Sequence, residues 1–197
     1  HAGSAEASQA LAAWIGRPSV IEIDSLEQLP LKQATDLLAA SEEPICFCAT
    51  EIRGQLTGEM ILAFDDASGW ALADMLLEQP TGATLDWTEL ATSAALETAN
   101  ILSCAYLNSL SETFAQVIPS CELLPSPPSF SRDFAESLLE FALMGQAMTS
   151  DLVLLARTRF EIDANPVNWT LLFVPDGESM LSLSRLLGAI TQCQEDD

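Results

Sequence analysis

Residues 58–77 read GEMILAFDDASGWALADMLL, and residues 168–187 read NWTLLFVPDGESMLSLSRLL. When the two stretches are aligned without a gap, several leucines coincide and Asp66 matches Asp176. Each copy is predicted to form an apolar strand, an acidic turn and then an amphipathic helix. An internal repeat of this kind indicates a fold built from two similar halves.

Another strand candidate lies upstream of each copy: PICFCATEIRG at residues 44–54 and SDLVLLARTRFEI at residues 150–162. Paired strands that are each followed by a helix predict an antiparallel-rich central sheet with long helices packed on it. Proline and turn residues mark loops at residues 78–88 and 119–131. The predicted fold class is therefore α/β, of the α+β kind.

The helical stretches of the two halves also match when Leu11 is set against Leu110. No independent linker separates the halves. The sequence therefore predicts one domain over residues 1–197, made of two repeats at about 1–85 and 86–197 that are related by an approximate two-fold axis.

The composition is that of a folded and strongly acidic protein, with 49% hydrophobic residues and a net charge of −22. Such a surface repels phosphate backbones and anionic lipid, so neither nucleic acid nor a membrane surface is an expected partner. A salt-adapted surface and a cationic protein partner both remain open as the cause of the acidity. No signal peptide or membrane-length apolar run is apparent, and a cytoplasmic location is expected.

The cysteines and histidine exclude several kinds of site. Five cysteines are present without a C-x-x-C pair, and Cys46 and Cys48 alternate as on one face of a strand. Buried free thiols in a reducing compartment fit this pattern. Because His1 is the single histidine, a histidine-based catalytic triad is not expected, and no metal site is predicted.

One long helix is predicted from Asp86 to about Val117, where neither proline nor glycine occurs. Asp86 is an acceptor at the expected cap, and Glu89 is an acid three residues on. Apolar residues cover nearly three-quarters of the helix circumference. The remainder is a narrow polar strip: Ser93, Glu97, Asn100, Cys104, Asn108 and Ser111.

The polar strip has two interpretations. Most such strips are solvated helix faces, on which Glu97 and Asn100 would only hydrogen-bond to each other. Alternatively, the strip is a surface that a partner approaches. Glu97 and Asn100, one turn apart, are then the two side chains on it best able to bind or act on that partner. The helical wheel by itself leaves both interpretations open.

The spacing S-x-x-x-E-x-x-N, at Ser93, Glu97 and Asn100, is followed by ILSCAYLNSLSE. This pattern resembles the CheC, CheX and FliY family of chemotaxis phosphatases, and GEMILAFDD and the internal duplication resemble CheC. The resemblance implies an α/β fold with pseudo-two-fold symmetry, in which long helices carry the active residues on one surface.

The resemblance also implies an activity, namely hydrolysis of the aspartyl phosphate of a CheY-type receiver. Glu97 would pair with a lysine of the receiver, and Asn100 would orient the attacking water. Ser93, Cys104 and Asn108 would support the docking surface. The receiver would supply Mg²⁺, so the resemblance implies no cofactor of the chain's own.

The chain departs from the family pattern at several positions. Ala99 and Cys104 stand where glycines are usual, and Leu123 stands where a proline is expected. In the first half His1 takes the place of Asn100, so one active site is predicted, in the second half. Membership of the FliY branch, a flagellar switch component that would normally need a further C-terminal segment, is the less favoured assignment because the chain ends soon after its last predicted helix. The alternative function is a non-catalytic adaptor that keeps the fold and binds CheD or a receiver.

Overall fold

The computed structural model describes residues 2–30, 33, 43–115, 121–137, 152–163, 165–176, 179 and 182. The helices with defined bounds are α1 (Ala2–Ile15), α2 (Asp66–Leu76) and α3 (Glu89–Ala115). The strands are β1 (Ser19–Pro30), β2 (Ile45–Gly54), β3 (Gly58–Asp65), β4 (Leu123–Pro125), β5 (Ser129–Asp133), β6 (Leu152–Ile162), β7 (Asn165–Val167) and β8 (Trp169–Pro175). Within these ranges no helix has both the length and the hydropathy that crossing a membrane requires.

These strands form a single sheet in the order β1-β6-β8-β3-β2-β4, with β5 also paired to β2 and β7 to β6. Every pairing in the described ranges is antiparallel. The strand candidates at residues 44–54 and 150–162 are β2 and β6, and each pairs with the strand of its own repeat copy, β3 or β8. The predicted fold class is confirmed.

The two repeats meet at the centre of this sheet, where β3 pairs with β8. Ile61 lies opposite Leu172, and Leu62 lies opposite Leu171. In the repeat alignment Ile61 is equivalent to Leu171, and Leu62 is equivalent to Leu172. Exchanging the two repeats therefore turns one pair into the other, which is the relation that a two-fold axis through an antiparallel strand pair requires. The flanking strands obey the same relation, with β6 beside β8 and β2 beside β3. The predicted pseudo-two-fold symmetry is confirmed.

The alignment of the acidic turns needs a correction of one residue. Asp65 caps α2 by accepting from the Ser68 N–H at 2.7 Å, and Asp176 accepts from the Ser179 N–H at 2.8 Å. The structural counterpart of Asp176 is therefore Asp65 and not Asp66. The shift arises at the end of the strands, because β3 ends at the capping residue Asp65 itself, whereas β8 ends at Pro175, one residue before Asp176.

The core lies between one face of the sheet and the helices α1 and α3. Cys46 and Cys48 point into it as free, fully buried thiols, as their alternation predicts. They share one cluster with Leu102 of α3. Ile61 and Leu172, on the opposite face, are 0% exposed. Burial of this extent makes the sheet a rigid support for α3.

The loop predicted at residues 119–131 is wrong in its extent, because β4 and the start of β5 lie there. β4 pairs with the end of β2, where Leu123 lies opposite Gly54. Gly54 has a φ of +125°, and a Cβ there would lie 2.0 Å from the Glu122 carbonyl oxygen. The missing side chain is what lets the two backbones meet. The other predicted loop, at residues 78–88, is confirmed.

Candidate functional site

The helix that carries the polar strip, α3, starts later than its sequence suggests. It begins at Glu89, and Thr88 caps it by accepting from the Ala91 N–H through its hydroxyl at 3.2 Å. The prediction that Asp86 is the cap was wrong, since its carboxylate accepts from the Trp87 N–H at 2.8 Å. Asp86 and Thr88 both have the short oxygen-bearing side chain that is preferred at a helix N-cap, so the local sequence does not indicate which of the two is the cap.

Contacts of Trp87 decide between these two caps. The indole N–H of Trp87 donates to Asp66 at 2.8 Å, and its ring lies 4.7 Å from that of Phe130. Arg132 donates two further hydrogen bonds to Asp66, at 2.8 and 2.6 Å, and holds the pKa of that carboxyl below its ordinary value. This network fixes the chain directly before α3.

A second carboxylate organises the loop between α2 and α3. Asp74 is 1% exposed and accepts from the backbone N–H groups of Gly82 at 2.6 Å, Ala83 at 3.1 Å and Thr84 at 2.8 Å. Burial raises the pKa of Asp74, but the hydrogen bonds from the loop together outweigh burial and leave the pKa below its ordinary value. The role of Asp74 was not predicted from the sequence, although an acid in an apolar helix before a P-T-G turn is a signal for such a contact.

The polar strip lies on the open side of α3. Its exposed members are Ser93, Glu97 and Asn108, and its half-buried members are Asn100, Cys104 and Ser111. The opposite side of the helix is packed, with Ala95, Ala99 and Leu102 at most 1% exposed. The structure therefore brings Glu97 and Asn100 together, one turn apart and accessible. Ser93 and Asn108 are about 22 Å apart along the axis, at 1.5 Å per residue.

Cys104 lies beside Asn100 on this strip. Its Sγ is 3.9 Å from the Asn100 Oδ1, a distance at which a thiol donates weakly. Burial, and secondarily the negative charge of Glu97, raises the pKa of the Cys104 thiol. The thiol is therefore neutral at physiological pH and acts as a donor to the carboxamide. Cys193, the remaining cysteine of unassigned role, lies outside the described residues.

One border of the polar strip is formed by α1. The Trp14 indole N–H donates to the Thr98 hydroxyl at 2.9 Å, and Thr98 donates to the Ala94 carbonyl at 2.8 Å. Trp14 is 36% exposed, so its ring is partly open to solvent next to α3. The contact between Trp14 and Thr98 was not predicted from the sequence. His1, the residue matched to Asn100 in the first half, lies outside the described residues.

No protein-family model matches the chain, and a search of curated proteins finds no match. Solved structures do match. The Thermotoga maritima FliY structure has a TM-score of 0.72 and 16% identity, covering 96% of this chain and 90% of FliY. The chain has a CheC-like fold. A CheX–CheY–BeF₃–Mg complex from Borrelia burgdorferi matches with a TM-score of 0.54 and 13% identity, covering 88% of this chain and 95% of the other.

FliM shares the same architecture. A FliG–FliM complex from H. pylori matches with a TM-score of 0.60 and 13% identity, covering 92% of each chain. At these identities the likeness establishes the CheC-like fold alone. FliY has a higher TM-score than the CheX complex, but this compares folds alone, so the expectation against membership of the FliY branch stays a prediction.

Proposed function

We propose that this protein accelerates hydrolysis of the aspartyl phosphate of a CheY-type receiver, with α3 as its docking helix. The observation that carries the proposal is the exposure of Glu97 and the accessibility of Asn100, one turn apart on the open face of an otherwise packed helix. The CheX–CheY complex, which contains the same fold, supports a receiver as the partner. One active site, in the second half, is proposed.

In this mechanism Asn100 holds the nucleophilic water. Its carboxamide has two N–H donors and two acceptor lone pairs, of which Cys104 contacts one. The remaining groups hold a water in line with the phosphorus–oxygen bond of the acyl phosphate. Water attacks phosphorus, the bond to the receiver aspartate breaks, and a carboxylate and inorganic phosphate result. The Mg²⁺ that neutralises phosphoryl charge belongs to the receiver.

Glu97 supplies the docking contact. The ion pairs within the described ranges use Asp163, Glu51 and Asp66 as their acids, and Glu97 is in none of them. Its exposed carboxylate is therefore available for a lysine of the receiver. Ser93 and Asn108 extend the same face toward the two ends of α3 and support the contact.

Replacing Glu97 with Gln is expected to raise KM for the phosphorylated receiver about tenfold while kcat stays within about twofold, because one charged contact is worth about 1.4 kcal/mol. The KM of the wild-type protein should also rise with salt more steeply than that of the variant, since salt screens the lost attraction. Steady-state phosphate release at two salt concentrations measures both effects. Glu112→Gln, an exposed substitution at the far end of α3, is the matched control.

Replacing Cys104 with Ala is expected to leave phosphatase activity within about threefold of wild type. The raised pKa of the thiol excludes a thiolate nucleophile at neutral pH, and its weak hydrogen bond to Asn100 contributes little. Phosphate release and trapping of a covalent phospho-enzyme both test this. Complete loss of activity, or a phosphocysteine adduct, contradicts the water mechanism.

The FliG–FliM complex favours a second candidate function, since a protein with this fold there assembles with another protein. The chain would then be an adaptor that binds a receiver or CheD without turnover. The deciding assay follows the phosphate lifetime of the CheY-type receiver encoded nearest this gene. An unchanged lifetime together with demonstrated binding supports the adaptor, and a shortened lifetime supports the phosphatase.

A further inference from the structure

Two exposed leucines lie at the start of the docking helix. Leu85, in the segment before α3, is 74% exposed, and Leu90, in the first turn of α3, is 58% exposed. Single exposed leucines are ordinary on protein surfaces. Leu90 is distinguished by its position relative to Glu97 on α3, and Leu85 by the anchored segment that carries it to the start of that helix.

Leu90 lies on the same helix face as the polar strip. Leu90 and Glu97 are separated by seven residues, which is nearly two full turns and about 10 Å along the axis. Their side chains therefore project in directions about 20° apart. Leu90 extends the polar strip with an apolar group at its N-terminal end, within the width of one ordinary protein interface.

Leu85 is presented by an anchored segment. On one side of it the Thr84 N–H donates to Asp74 at 2.8 Å, and on the other side the Trp87 indole donates to Asp66 at 2.8 Å. A side chain held between two fixed points loses little backbone entropy on binding. The loop thus displays an apolar residue in a preorganised position beside α3.

We propose that Leu85 and Leu90 form the apolar contact of the receiver-docking surface and determine its affinity, while Asn100 provides turnover. The inference rests on the proposed function. A receiver is a better occupant than a second copy of this chain, because each copy carries a net charge of −22 and neither α1 nor α3 contains a lysine or arginine. A second copy would therefore set Glu97 against a like-charged face.

The test compares the double variant Leu85→Gln/Leu90→Gln with wild type. Binding is measured with a CheY-type receiver loaded with beryllofluoride and Mg²⁺, and turnover with the phosphorylated receiver. We expect Kd and KM to rise at least tenfold and kcat to stay within twofold. Leu124→Gln, which replaces an equally exposed leucine on β4, should leave all three unchanged. Because apolar contacts are not screened, the salt dependence that comes from Glu97 should persist in the double variant.

The outcomes separate this inference from the proposed function. If wild-type protein shortens the receiver's phosphate lifetime and the double variant has unchanged Kd and KM, the leucine contact alone is overturned. If wild-type protein neither binds nor dephosphorylates the receiver, the proposed function fails and this inference fails with it. If the protein alone is a dimer that the double substitution dissociates, a second copy occupies the leucines and the inference is overturned.

Discussion

Asn100→Ala is expected to lower kcat for receiver dephosphorylation about 100-fold while KM changes less than threefold. The carboxamide acts only on the water and the phosphoryl group, so its loss affects the transition state and not the docking of the receiver. A 100-fold change corresponds to about 2.7 kcal/mol of transition-state stabilisation, which positioning one nucleophile readily accounts for. Because Asn100 is only half-buried, alanine should not disturb the packing of α3.

The measurement is single-turnover loss of phosphate from a pre-phosphorylated receiver, with binding followed in parallel on a beryllofluoride-loaded receiver. Gln9→Ala serves as the control, since it removes an exposed carboxamide from the neighbouring helix α1. Retention of most of the activity by Asn100→Ala would contradict the assignment. Equal losses in kcat and in binding affinity would instead place Asn100 in docking.

Asp74→Ala is expected to lower the free energy of unfolding by about 2–4 kcal/mol, the largest stability change anticipated for a single side chain at the site. The substitution removes the acceptor of three backbone N–H groups, from Gly82, Ala83 and Thr84. Water can replace part of what is lost, because Gly82 and Ala83 are exposed. Urea denaturation at pH 7 measures the change, and Asp86→Ala, at an exposed position, should cost under about 1 kcal/mol.

The effect of Asp74 should depend on pH in a defined direction. The folded protein holds the pKa of Asp74 below its ordinary value of about 3.9. The carboxylate therefore contributes its full stability above about pH 4–5 and loses it as pH falls toward the folded-state pKa. The stability difference between wild type and Asp74→Ala should shrink below about pH 4. A difference that stays constant down to pH 2.5 would show that charge on Asp74 is unimportant.

Asp74→Ala is also expected to weaken docking of the receiver, which a substitution at a structural residue far from α3 would not do. The loop that Asp74 holds carries Leu85 and leads into the start of α3. Under conditions where the variant stays folded, KM should rise while kcat is largely kept. A variant with normal KM would show that the position of this loop does not matter for docking.

Local pattern accounts for most of the architecture. Apolar runs at 44–54 and 150–162, each directly before one copy of the repeat, were enough to predict β2, β6 and the two-fold relation. The polar strip followed from helical periodicity, because the side chains that pack against a sheet repeat every 3.6 residues. The assigned roles of Glu97 and Asn100 and the repeat boundaries near residue 85 stay predictions.

Tertiary contacts decided what local pattern left ambiguous. Asp86 and Thr88 are both good caps by sequence, and only the docking of Trp87 on Asp66 and Phe130 selects Thr88. The importance of Asp74 is likewise invisible until a loop eight to ten residues away folds back onto it. Burial and hydrogen bonding depend on which distant residues meet, whereas periodicity depends on neighbours in the chain. The sequence by itself therefore determined the repeat, the four strands β2, β3, β6 and β8, and the open face of α3. The folded chain alone determined the other strands, how that face begins and what holds it in place.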